Sequence, residues 1–108
     1  MGDHTHAELY SKLLKYLDVH GRSLTEYGSA ERGLSKLNAV AFLDLLRSDQ
    51  IPLLGVELWR STEERMELDI LEIWYSESTD LSECYLDAGR YFRRIEVQDG
   101  DVFTIQFG

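Results

Sequence analysis

The hydrophobic positions of this chain change period several times, and each change marks an element. Leu9, Leu13 and Leu17, flanked by Tyr10, Leu14 and Tyr16, recur at helical spacing and predict a helix from Ala7 to His20, with Gly21 as its cap. Residues 22–36 are glycine-containing and read as a loop with one short extended piece. A second helix is predicted over Leu37–Ser48, with Ser35 or Asn38 as N-cap and an end at Ile51-Pro52, because a residue before proline is pushed out of the helical region. Between Leu37 and Arg47 only Asn38, Asp44 and Arg47 itself interrupt its apolar surface, so it should be the core helix, buried on more than one side.

The period then becomes two. In Leu53–Arg60 the side chains of Leu54, Val56 and Leu58 point one way, and those of Leu53, Gly55, Glu57 and Trp59 the other. Ser61–Arg65 makes a polar turn, and residues 66–76 return as a second strand. Met66, Leu68 and Ile70 alternate in one phase, Leu71, Ile73 and Tyr75 in the other, which predicts a bulge near Ile70-Leu71. Gly55, between branched neighbours, should lie in the strand where a ring or backbone comes close.

Helical spacing resumes after Asp80, whose pairing with Glu83 resembles a capping box. Leu81, Cys84, Ala88, Phe92 and Ile95 form its inward stripe, with Gly89 allowing close packing beside it, and acids early and arginines late suit the helix dipole. Asp99-Gly100 turns the chain into a last strand, Val102–Phe107, with Phe103, Ile105 and Phe107 inward. The order α-α-β-β-α-β describes an α+β fold, a small mainly antiparallel sheet with helices packed on one face. The 108 residues make one domain, 1–108, in which residues 1–6 are expected to be disordered.

Charge adds a feature that the hydrophobic pattern lacks. Of the net charge of −9, eight charges fall in residues 57–87, which hold ten acids against Arg60 and Arg65, together with both tryptophans. A pI near 4.6 disfavours nucleic acid and anionic membrane as partners, since both repel such a surface. No apolar run spans a membrane and no signal-peptide core follows Met1, so a cytoplasmic location is expected.

Few residues suggest chemistry. Cys84 is alone, cannot form an internal disulfide and sits on the apolar stripe, where it acts as a small hydrophobe. His4 and His6, with Glu8, are a weak metal motif that nothing completes, and His20 suits a helix C-terminus. No phosphate loop is present, and the hairpin acids lack the deep cleft a glycosidase pair needs. No catalytic residue, metal or cofactor is assigned.

The hairpin is the better candidate. With residues 61–65 as the turn, Glu57, Trp59, Glu67 and Asp69 share one face, to which the bulge returns Glu72 and Trp74. Carboxylates facing one another across strands repel, so stability alone would not place them there. An acidic face with an aromatic anchor suits a basic protein partner, the charge steering encounter and a ring supplying contact area.

From Leu37 onward, the second helix, the run Ile51-Pro52-Leu53-Leu54-Gly55-Val56-Glu57-Leu58-Trp59, Ile73-Trp74-Tyr75-Ser76-Glu77, the Leu81–Ile95 helix and the Phe103–Phe107 strand resemble the immunity protein 40 family of bacterial polymorphic-toxin systems. Val56-Glu57 stands where that pattern has a second glycine and then an aspartate. The resemblance implies a small cytoplasmic bacterial antidote, not an enzyme, that binds a cognate toxin domain directly. The alternative is a scaffold or regulatory domain that pairs with itself, as a homo-oligomer, or with a larger partner through the same hairpin.

Overall fold

The computed structural model describes residues 2–108, with side chains described for residue 8 and residues 10–108. Helix α1 (Gly2–His20) leads into a two-residue strand β1 (Arg22–Ser23), a 3-10 turn (Thr25–Tyr27) and strand β2 (Arg32–Gly33). Then come α2 (Lys36–Ser48), β3 (Leu53–Ser61), β4 (Met66–Leu68), a 3-10 turn (Ile70–Glu72), β5 (Trp74–Tyr75), α3 (Leu81–Arg94) and β6 (Val102–Phe107). The class is α+β with antiparallel pairing throughout, as expected. Met1 and the side chains of residues 2–7 lie outside the described residues, and with them the motif of His4 and His6; the backbone of residues 2–6, in the segment expected to be disordered, is part of α1.

Strand β3 is the centre of the main sheet. One edge pairs with β6, from Leu53↔Phe107 to Trp59↔Val102, and the other pairs with β4 and then β5. The returning strand is therefore broken. If the register of Trp59↔Leu68 continued, Val56 would face Leu71; it faces Trp74, three residues further on. The phase change at Ile70-Leu71 is real, but a 3-10 turn absorbs it, not a one-residue bulge. Both insertions are odd in length, so both invert the alternation, and the sequence pattern alone does not distinguish them. The bulge lies elsewhere, between Leu53 and Gly55 in β3. It turns Leu54 outward to 51% exposure, against expectation, while Leu53, Val56 and Leu58 all reach the core. Gly55 meets its expectation: a Cβ there would lie 2.9 Å from the Tyr75 ring and 3.0 Å from the Trp74 carbonyl oxygen.

The helices cover one face of this sheet. Helix α2 starts where the Ser35 hydroxyl accepts the Asn38 N–H at 3.2 Å. It ends before Ile51-Pro52, because Gln50 adopts φ 56° and the Gln50 and Ile51 N–H groups bond back to the carbonyls of Arg47 and Leu46. That is a left-handed C-terminal cap built on a residue other than glycine. The helix buries only the stripe Ala39, Phe42, Leu43 and Leu46 and leaves Leu37 at 81% exposure, so it is not enclosed on several sides as expected. In α3, Asp80 accepts the Glu83 N–H at 3.1 Å, while Ser78 accepts the Asp80 N–H and donates to the Glu83 carboxylate, closing the cap through a third residue. Cys84, Ala88, Phe92 and Ile95 are buried and Leu81 is half-buried against the same core.

A second, smaller core lies on the opposite face. There Leu24, Trp59, Met66 and Val102 pack together with Tyr27 and Leu68, under the segment that joins α1 to α2. That segment was expected to be a loop with one extended piece; β1 and β2 pair as a short ribbon, and Leu34 bonds Phe103 through both backbone groups at 2.7 Å. Both faces of β6 are thereby covered, so Val102 and Thr104 are buried as well as Phe103 and Ile105.

Candidate functional site

The register divides the residues expected to form one binding face. Trp59 pairs with Leu68 and Arg60 with Glu67, so Glu57 and Trp59 point to the small-core side while Glu67 and Asp69 lie on the side of Arg60. The expected single face of Glu57, Trp59, Glu67, Asp69, Glu72 and Trp74 does not form. Trp59 is 8% exposed in the small core, and Trp74 is half-buried against the main core. Neither ring is an exposed anchor. The sequence leaves each ring open between core and surface, with one of the two expected as an anchor; in the fold each faces an apolar cluster that the linear pattern does not bring beside it.

Three of the four acids have partners within the chain. Glu57 accepts from the Thr104 hydroxyl at 3.0 Å and, more weakly, from the Gln106 amide, which also reaches Glu31 at 2.6 Å. Asp69 accepts from Arg60 Nε at 3.0 Å and caps its 3-10 turn by accepting the Leu71 N–H at 3.1 Å. Glu72 pairs with Arg94 at 3.1 Å, and its carbonyl accepts from the Tyr91 hydroxyl at 2.6 Å. Glu67 is exposed and has no partner among the described residues; the same is true of Glu63, Glu64 and Glu77. The like-charge clash expected across the hairpin is avoided, because Arg60 stands opposite Glu67.

Arg60 is the hub of this region. Besides Asp69 it binds Asp101 at 3.1 Å and the Glu96 carbonyl at 2.8 Å. The Asp69 hydrogen bond is the main reason its pKa is raised. Burial of Asp101 by itself would raise the pKa of that carboxyl, but N–H bonds from Gln98 and Ser61 and the Arg60 guanidinium outweigh it and hold the carboxyl below the ordinary carboxylate range. Asp101 thus ties the turn before β6 to the end of β3, and through Arg60 to the 3-10 turn.

What this scaffold presents is apolar. Ile70 is 74% and Leu71 87% exposed on the 3-10 turn, and Tyr75 is 62% exposed further along the same sheet edge. The turn is anchored at both ends, by Asp69–Arg60 and Glu72–Arg94, and lies in the most acidic part of the chain. These three exposed apolar residues are not among the candidates that the sequence singled out. Their signal was the change of phase at Ile70-Leu71, which was read as a bulge within a continuous strand.

The remaining chemistry is sparse. Among the described residues no group of three or more His, Cys, Asp or Glu is placed to hold a metal ion. Cys84 is buried, donates to the Leu53 carbonyl and accepts from the Ser76 hydroxyl, as a structural thiol does. The His20 ring packs on Tyr16 at 4.4 Å between centroids. No helix among the described residues is long and apolar enough to cross a membrane. No family model matches the chain, and no match is found among curated proteins or solved structures.

Proposed function

We propose that this chain is a non-enzymatic, cytoplasmic bacterial immunity protein that neutralises a cognate toxin domain by binding it directly through the acidic edge of its sheet. The reading takes its class of partner from the resemblance of residues 37–107 to the immunity protein 40 family. The observation that carries the binding surface is the pair Ile70 and Leu71, 74% and 87% exposed on an anchored turn. Burying one such side chain contributes roughly 1.5–3 kcal/mol, enough for a central contact of an interface. Such exposure has no folding purpose, and two ion pairs already fix the turn, so little conformational entropy would be lost on docking.

The carboxylates then divide by role. Asp69 and Glu72 hold the turn, whereas Glu63, Glu64 and Glu67 project without partners among the described residues and supply the negative potential that steers a basic surface. In this reading Glu57, Trp59 and Trp74 support the edge from within.

The test is co-expression with the polypeptide encoded by the adjoining reading frame. The parent chain should protect the cell and form a complex. A folded Ile70→Ser/Leu71→Ser variant should lose protection, with dissociation faster by about 30-fold, the equivalent of about 2 kcal/mol. Glu63→Lys/Glu64→Lys/Glu67→Lys should instead slow association and flatten its salt dependence. Full protection by both folded variants would overturn this surface, and failure of the parent chain to bind any neighbouring gene product would overturn the class.

A further inference from the structure

The groove between α2 and α3 lies outside the acidic edge and has the opposite character. It encloses about 330 Å³ and is lined by apolar side chains, including Val40 and Phe92, and by Lys36, Arg47 and Arg93. Asp44 is its one acid and is already paired with Arg47 at 3.3 Å. Three cations therefore border an apolar groove in a protein of net charge −9. Arg93 has no hydrogen-bond or ion-pair partner among the described residues, and Lys36 uses one donor, on the Ile95 carbonyl at 3.0 Å.

A second observation is Gly89, which lies inside α3 and lines the same groove. A glycine within a helix is destabilising, and one is normally retained for a positive φ or a close approach. Gly89 has neither: a Cβ there would meet only the Arg93 guanidinium, at an ordinary 3.5 Å. The close packing expected beside the α3 stripe is absent. What the missing side chain does achieve is an unobstructed groove beneath an unpaired arginine.

We propose that this groove binds a small amphiphilic carboxylate, the anion on Arg93 with Lys36 and Arg47 nearby, and the hydrocarbon over Gly89, Val40 and Phe92. The volume is at the lower end of small-molecule sites, about 300–1,000 Å³, so a short hydrocarbon chain fits and a protein segment does not. Charge selects an acid over a neutral or cationic amphiphile, and a guanidinium beside apolar surface holds a carboxylate by charge-assisted hydrogen bonds. This proposal is independent of the function proposed for the acidic edge.

The probe is sodium octanoate, titrated into the full chain and followed by amide NMR shifts, with octyltrimethylammonium as the cationic control. Saturable shifts at Val40, Gly89 and Phe92 are expected at concentrations on the order of millimolar, with none of that pattern from the cation. Arg93→Gln should weaken binding about tenfold. Gly89→Leu, a better helix former that fills the groove, should abolish it, and Val40→Glu, at a half-exposed position, provides a second way to do so. Equal shifts from the cation, unsaturable shifts spread over the surface, or unchanged binding by a folded Gly89→Leu or Val40→Glu chain would each overturn the proposal.

Discussion

Removing the Asp101 carboxylate should be the most damaging single polar change in this molecule. Its side chain is 2% exposed and accepts from Ser61 N–H at 2.8 Å, Gln98 N–H at 2.9 Å and Arg60 at 3.1 Å. In Asp101→Ala the half-buried Ser61 N–H is left unpaired, a cost of about 1–2 kcal/mol. Gln98 is exposed, so water replaces that bond at little cost. The Arg60 side chain is 34% exposed and retains Asp69 and Glu96, so the lost ion pair adds roughly 1 kcal/mol after solvent screening. The sum is about 2–3 kcal/mol, a large share of the ~5–15 kcal/mol typical of a whole domain. In urea, with a slope of ~1–3 kcal/mol per molar, the midpoint should fall by about 1–2 M with the slope unchanged. The effect should also depend on pH. The folded carboxyl lies below its unfolded value, so its stabilisation is complete above the ordinary range near pH 4 and is lost as pH falls through the folded pKa. The difference between parent and Asp101→Ala should therefore shrink on acidification below about pH 4. A loss under 1 kcal/mol at neutral pH, or a difference that grows in acid, would refute the assignment of Asp101 as the tie between β3, β6 and Arg60.

Gly55→Ala should cost about 1–3 kcal/mol, because the Tyr75 ring can shift from its 2.9 Å approach but the Trp74 carbonyl, held by pairing to Val56, cannot; urea melts and loss of amide protection in β5 would report it. Gln50→Gly should raise stability by up to about 1 kcal/mol, since the left-handed φ of 56° strains a residue with a Cβ and Gln50 is exposed; a lower melting midpoint would contradict the cap described for α2. Gly89→Ala should stabilise by ~0.5–1 kcal/mol in the same assay, as its methyl meets only Arg93 at 3.5 Å, and destabilisation would reveal a packing role that the geometry lacks.

Local chemistry made much of the architecture legible in the chain. Ser35 and Asp80 cap α2 and α3 because capping needs only a short acceptor within three residues of its N–H. The α3 stripe from Cys84 to Ile95 and the alternation in β6 predicted the surfaces that became core, since burial follows a period that a helix or strand imposes on itself. The C-terminus of α2 was less legible, because Gln50 adopts a backbone conformation that its residue type disfavours and the surrounding hydrogen bonds enforce.

The candidate surface was legible only in part. The concentration of acids in residues 57–87 and the inverted phase at Ile70-Leu71 are properties of the linear order, and both persist in the fold. What the tertiary structure decided is which of these residues face solvent unpaired. A slip of three residues inverts the alternation as a slip of one would, but lifts Ile70 and Leu71 out of the sheet. A cross-strand register sets Arg60 against Glu67, and the segment between α1 and α2 closes over Trp59. Capping and amphipathic period act over three or four residues and are written in the chain, whereas the ion pairs of Arg60 and the burial of Trp59 join residues that no local period relates, and only the folded register brings those together.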